Sequence, residues 1–243
     1  NETGVIQPVA EAAKLAHTRG LKIHCDGAQA PGKIPVDFQS LGVDYLTLAA
    51  HKISGPQGVG AVIVRDGEAL PPMLRGGGQE SGQRAGTENV PGIAGFGVAA
   101  DLAGEDLARA DMLAGLRDAM EARLARLAGE NGLEMTVFGA AASRLPNTSL
   151  FGVAGMTSDT QVIGLDLAGV AVSAGSACSS GKVHASHVLS AMGVSDDLAT
   201  SAIRVSLGWS TDQLDVDRFV DAWYEIRIGK LVKNDATEMQ KAS

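Results

Sequence analysis

Cysteine, positive charge and long apolar runs are all scarce in this chain, and each shortage excludes something. Only Cys25 and Cys178 are present in 243 residues, far apart and neither in a C-x-x-C pair. A disulfide scaffold is therefore not expected, and the cytoplasm is the simpler assignment. Five histidines and these two cysteines form no ligand-spaced cluster, so no structural metal site is expected. Twenty Lys and Arg against 28 Asp and Glu leave a net charge of -8, with no broad basic surface for a phosphate backbone, and nucleic acid is not an expected partner. The longest uncharged apolar-leaning window, 90–100, falls short of the ~20 residues a membrane span needs. What remains, 45% hydrophobic and 20% charged residues, reads as globular protein with enough chain for one large domain or two modest ones. Val5, Ile6 and Pro8 already read as domain interior behind Asn1, so the chain is expected to begin inside a longer protein.

The organising stretch is 44–60. An apolar strand-like run at 45–48 leads into His51-Lys52, and Gly55, Pro56, Gly58 and Gly60 then turn the chain into a second apolar run at 61–64. Lys52 is thus expected on a tight turn between two strands, over an apolar floor. Desolvation lowers an ammonium pKa toward the range where the amine is a nucleophile and can form a Schiff base. On this stretch alone, an ordinary lysine in a Gly-Pro loop is an equal alternative.

Pro8 followed by Val9, Ala12, Ala13, Leu15 and Ala16 predicts a helix ended by Gly20, and 21–25 predicts a short strand. Asp26 ends that strand, with Gly27 and Gln29 beyond; ligands bind at the carboxyl ends of parallel strands, although Asp26 also suits a simple turn. Residues 37–41 read as a connector. This rhythm predicts an α/β fold with a mostly parallel sheet. Residues 76–87 are too rich in glycine and polar groups for a regular element, but their backbone donors, with Arg84 and Thr87, could cradle an anion. Ser81 in place of a third glycine rules out the dinucleotide fingerprint. A long helical pattern over 91–128 breaks near Gly104, which suggests a domain boundary around 104–110. Strands at 135–138, 148–153, 170–173 and 202–207, with helices at 158–167 and 211–228, predict a smaller α/β domain. The last of these helices is expected to be capped by Ser210 or Thr211.

Small residues alone surround Cys178 in 173–181, with Lys182, His184 and His187 following, a setting for an accessible, reactive thiolate. The segment fails as a Walker loop because its glycine spacing is one residue too long and Val183 replaces the required Ser or Thr. Cys25, inside an apolar strand, reads as a buried small hydrophobe. Arg204, charged within an apolar strand, reads as a carboxylate-binding fork or as half of an internal ion pair.

Asn1-Glu-Thr-Gly, His24-Cys-Asp26-Gly-Ala-Gln29, Ala50-His51-Lys52-Ile-Ser-Gly-Pro, Arg84-Ala-Gly-Thr87, Gly175-Ser-Ala-Cys178-Ser-Ser-Gly and Ile203-Arg204-Val-Ser-Leu-Gly closely resemble, in this order, the motifs of NifS/IscS-type cysteine desulfurases. These are pyridoxal 5'-phosphate (PLP) enzymes of the class V aminotransferase family, with the fold type I, aspartate-aminotransferase-like architecture. The resemblance implies that 1–108 are the C-terminal part of a large PLP-binding domain and 109–243 a small domain carrying the catalytic-cysteine loop. It implies a Schiff base at Lys52, Asp26 on the pyridinium nitrogen, Gln29 on the phenolic oxygen and His51 on the phosphate. Thr87 would reach the phosphate of a partner's cofactor in a homodimer, and Asn1 and Arg204 would hold the substrate carboxylate. L-cysteine would give L-alanine and a persulfide on Cys178, passed to a sulfur acceptor or scaffold for iron-sulfur cluster assembly. Two departures stand out: Ala49 replaces a usual phosphate-binding Ser or Thr, and the family's N-terminal portion, with its phosphate-binding turn and ring-stacking histidine, is absent. Competing readings are a selenocysteine lyase, another fold type I aminotransferase or lyase, and a non-catalytic truncated sulfur-relay module.

Overall fold

A computed structural model describes residues 1–175 and 186–228, and the chain divides into two compact units. One comprises 7–108; the other comprises 109–243 together with 1–6.

In the first unit α1 (Val9–Thr18) leads to β1 (His24–Asp26), α2 (Phe38–Leu41), β2 (Tyr45–Ala49), β3 (Gly60–Val64) and α3 (Val90–Asp106). Gly20, at φ +68°, lets the chain leave α1 in the left-handed region. Asp37 caps α2 by accepting from the Ser40 N–H, so the stretch expected as a connector has one helical turn. Ala13, Val43 and Leu46 are almost fully buried, with Val9, Cys25, Phe38 and Leu48 packed around them. Burial first, and then the neighbouring Asp26 charge, push the Cys25 thiol above its ordinary value. Cys25 is accordingly a packing residue.

The sheet of this unit is mixed, not mostly parallel: β1 pairs parallel to β2, and β2 antiparallel to β3. The reason is the connection. A parallel return needs a crossover of a dozen or more residues, whereas the turn carrying Gly55, Pro56 and Gly58 sends the chain straight back.

In the second unit α4 (Ala110–Glu130), β4 (Met135–Val137), β5 (Thr148–Val153), α5 (Ser158–Leu167), β6 (Ser173–Ala174), α6 (His187–Ala191), α7 (Asp196–Thr200), β7 (Ile203–Ser206) and α8 (Gln213–Arg227) follow one another. The strands lie in the order β4-β5-β7-β6, antiparallel throughout. Leu113, Met120 and Leu124 of α4 pack with Phe151, Leu165, Ile203, Val220 and Trp223 in one core. There the Phe151 and Trp223 rings meet edge-on, 6.2 Å apart. Gln161, 1% exposed, donates to the Met156 and Ser201 carbonyls and accepts from the Trp223 indole, so this buried amide is satisfied.

Several details depart from the sequence reading. The helical break falls at the 3-10 turn Leu107–Arg109, and Gly104 lies inside α3. The cap of α8 is Asp212, not Ser210 or Thr211, because the Asp215 side chain reciprocates in a capping box. Strand β6 is only two residues long and starts at Ser173. Among the described residues no helix is long and apolar enough to cross a membrane.

Candidate active site

In the first unit the parallel register His24↔Tyr45, Asp26↔Thr47 brings the carboxyl ends of β1 and β2 to the same edge of the sheet. Asp26 ends one strand. Its Oδ1 accepts from the Ala28 N–H at 3.0 Å, so the turn-forming role is real, and its carboxylate remains at an exposed position. Gly27 is buried against β2, where a Cβ would come within 2.7 Å of the Leu46 side chain. That close approach needs glycine, and it carries the chain over the sheet edge to Gln29. The Lys33 ammonium donates to the Gln29 carbonyl at 2.9 Å and lies 3.5 Å from its Oε1.

The other strand runs through Ala49 into the 3-10 turn Ala50–Ile53, which presents His51 and Lys52. Ala50 is fully buried, while His51 and Lys52 are both exposed. The apolar setting expected to desolvate Lys52 is therefore not found; the turn packs Ala50 into the protein and leaves the next two side chains outside. Ser54 follows at φ +63°, a left-handed conformation uncommon for serine, and its N–H closes the turn on the Ala50 carbonyl. Helix α3 braces the turn from behind. A Cβ on Gly55 would meet Ala50 O at 2.9 Å and Ala99 Cβ at 3.1 Å, and one on Gly95 would meet Pro56 Cγ at 2.6 Å. Small residues on both surfaces bring the helix this close.

Thr87 is exposed in the Gly-rich stretch, and no hydrogen bond joins it to His51 or Lys52. That stretch holds one 3-10 turn, Gln79–Gly82, with Glu80 and Ser81 at φ 51° and 55°. Asn89 ends it by capping α3 at the Gly92 N–H.

In the second unit Arg204 stands on β7 opposite Ser173 of β6. Its Nη1 donates to the Asn1 carbonyl at 3.1 Å and to Asn1 Oδ1 at 3.3 Å, and its Nη2 donates to Ser173 Oγ at 3.3 Å. Its Nε is buried with no partner. Among the described residues no carboxylate pairs with it, so the internal ion pair is not formed and the fork stays available for an outside carboxylate. Asn1 and Arg204 are thus brought together as expected, and Ser173 joins them unforeseen. Cys178 lies outside the described residues, as do Lys182 and His184.

An amine, an imidazole, a carboxylate and an amide thus lie beyond the carboxyl ends of β1 and β2 in the first unit, and an arginine fork stands on β7 of the second. The sequence pattern described as Aminotransferase class-V matches residues 1–219. The chain belongs to the class-V aminotransferase family. It is 43% identical over 222 residues to a cysteine desulfurase of Gluconacetobacter diazotrophicus, covering 91% of this chain and 54% of that protein. The likeness to the cysteine desulfurase IscS of Dictyoglomus turgidum is 41%, over 91% of this chain and 55% of the relative. Among solved structures, a NifS-like protein from Rickettsia africae superposes with a TM-score of 0.81 at 36% identity, covering 93% of this chain and 59% of its own. The chain therefore has the fold of type I PLP enzymes, and it spans little more than half the length of these relatives. Members of this family use PLP, and the polar groups gathered at the β1–β2 edge fit that group: a lysine amine to anchor it, a carboxylate for a ring nitrogen, an amide and an imidazole for its oxygens.

Proposed function

We propose that the protein of which this chain is part is a cysteine desulfurase, a transferase that moves sulfur from L-cysteine to Cys178 and releases L-alanine. The observation that carries this reading is the 43% identity to a cysteine desulfurase across 91% of the chain. Arg204, for which no carboxylate partner is found among the described residues, supports it by offering a place for an amino acid carboxylate beside Asn1 and Ser173.

PLP, when bound, supplies the electron sink that makes bonds near an amino acid's α-carbon breakable. Lys52 anchors it through Nζ and moves protons at the substrate carbons from the same atom. Asp26 would hold its ring nitrogen, Gln29 its phenolic oxygen and His51 its phosphate. Arg204 and Asn1 orient the substrate carboxylate. The Cys178 thiolate then attacks the substrate sulfur: an S–S bond forms, the substrate Cβ–S bond breaks, and the carbon takes a proton to become the methyl group of alanine. In the same reading Thr87 serves the partner's cofactor in a homodimer, the persulfide goes to a sulfur acceptor for iron-sulfur cluster assembly, and the compartment is the cytoplasm.

The test is the visible absorbance of the protein with PLP and the mass of the Cys178 peptide after L-cysteine. Lys52→Ala is expected to remove the absorbance. Cys178→Ser should keep it and form no persulfide. Sulfur transfer at the parent rate by Cys178→Ser would overturn the reading.

A further inference from the structure

Residues 1–6 are strapped firmly onto the second unit. Gly4, at φ +75°, lies where a Cβ would stand 3.0 Å from that of Thr148, and its carbonyl accepts from the Leu145 N–H at 2.7 Å. Val5 bridges Arg144, and the Ile6 N–H donates to Ser143 O at 2.9 Å. Arg144 is itself held by both oxygens of Glu121, at 2.7 and 2.8 Å. Two adjacent side chains at the start of this strap do different things. Asn1 takes Arg204, and Glu2 accepts a hydrogen bond from the Ser186 hydroxyl.

Ser186 is 2% exposed and opens α6, its Oγ accepting from the Val188 and Leu189 N–H groups at 3.1 and 3.2 Å. A serine hydroxyl has one proton and two lone pairs. Here the two lone pairs serve the helix and the proton goes to Glu2, so the carboxylate fixes which way the cap points. Without it a buried O–H loses its acceptor. Leu189, three positions on, is fully buried against Phe138, Leu150 and Ala202, so the first turn of α6 is registered to the sheet that carries Arg204.

We propose that Glu2 is a positioning residue: through Ser186 it fixes the start of α6, eight positions after Cys178 in the sequence, and through its neighbour Asn1 it keeps that point in register with the Arg204 carboxylate fork. The proposal rests on the desulfurase reading of Arg204 and Cys178. A mere helix cap would need no partner on the strap that also delivers Asn1.

The test uses the full chain loaded with PLP, as Glu2→Gln, Glu2→Ala, Ser186→Ala and the Glu2→Ala/Ser186→Ala double variant. Hydrogen exchange at the Val188 and Leu189 amides is expected to speed up about tenfold in Glu2→Ala and in Ser186→Ala, no further in the double variant, and little in Glu2→Gln, which keeps an acceptor. The maximal rate of persulfide formation on Cys178 should fall at least tenfold in Glu2→Ala, be largely restored in Glu2→Gln, and leave cofactor absorbance unchanged. Unchanged exchange overturns the clasp, and faster exchange with persulfide formation at the parent rate reduces Glu2 to a structural cap and overturns the positioning role. A parent protein that binds cofactor but forms no persulfide, with the exchange responses intact, overturns instead the desulfurase reading and the catalytic half of this proposal.

Discussion

Adding one methyl group to α3 at two positions two residues apart should have opposite effects, and the contrast isolates the packing behind Lys52. Glycine in a helix interior is less stable than alanine by about 1 kcal/mol, so both Gly95→Ala and Gly97→Ala gain that amount from the backbone. At Gly97 nothing lies within 4 Å of the added Cβ, and the gain is kept. At Gly95 the Cβ would stand 2.6 Å from Pro56 Cγ and 3.1 Å from its Cδ, and a proline ring cannot swing aside. Overpacking of this kind costs about 1–3 kcal/mol, so Gly95→Ala should be neutral to about 2 kcal/mol destabilising, and the two variants should differ by about 1–3 kcal/mol. Both tryptophans, Trp209 and Trp223, lie in the second unit. Urea unfolding followed by far-UV circular dichroism should therefore show the difference, while the fluorescence transition stays put. Because Pro56 follows the lysine turn, Gly95→Ala should also retain cofactor less well on dialysis. Equal midpoints for the two variants would refute the close seating of α3 on this turn.

Three further outcomes are expected. On the proposed desulfurase reading, Arg204→Lys keeps the charge but loses the fork, and KM for L-cysteine in steady-state assays should rise about ten- to hundredfold, the worth of a charged hydrogen bond at about 1.5–3 kcal/mol. The His17 ring and the Ile23 N–H, followed by the Arg65 charge, hold the Asp44 carboxyl below its ordinary value. Its contribution is thus complete above the unfolded carboxylate value of about 4 and is lost as pH falls through the lower folded value, so acid should weaken the first unit. Asp44→Asn should flatten that dependence in acid titrations followed by circular dichroism. Asp212→Ala removes the capping box of α8 and should cost about 1 kcal/mol, read by the fluorescence midpoint, with Asp212→Ser recovering most of it.

What could be read in advance was what short-range chemistry decides. Helix α5 runs over 158–167 as its pattern predicts, because Thr157 supplies the cap and Val162 and Leu165 the apolar side. Strand β2 and its turn were legible for the same reason. The register of β6 was not, since two residues gain strand geometry only by pairing with Ile203 and Arg204, far along the chain. Helices α6 and α7, five residues each, are too short to leave a periodic trace; Ser186 and Ser195 ahead of them were the available signal. At the site, Asn1 was found through a resemblance and Arg204 already through its charge within an apolar strand, and only the fold explains why they meet. Ser173 and Glu2 carried no local sign, because their partners lie 31 and 184 positions away. Lys52 was misjudged in its surroundings, since burial belongs to the neighbours of a residue and not to its own stretch of sequence.

The strap also bears on how the chain assembles. Residues 1–6 are synthesised before 7–108, yet their berth is built from 143–148, Ser186 and Arg204, which emerge only after that unit. The second unit therefore closes on a segment that has waited through the synthesis of everything between, and the entropy of that closure grows only as the logarithm of the intervening length. Cutting the gene at 109 would leave 143–145 and Ser186 without their partners on the strap and deprive an arginine of the amide that steadies it.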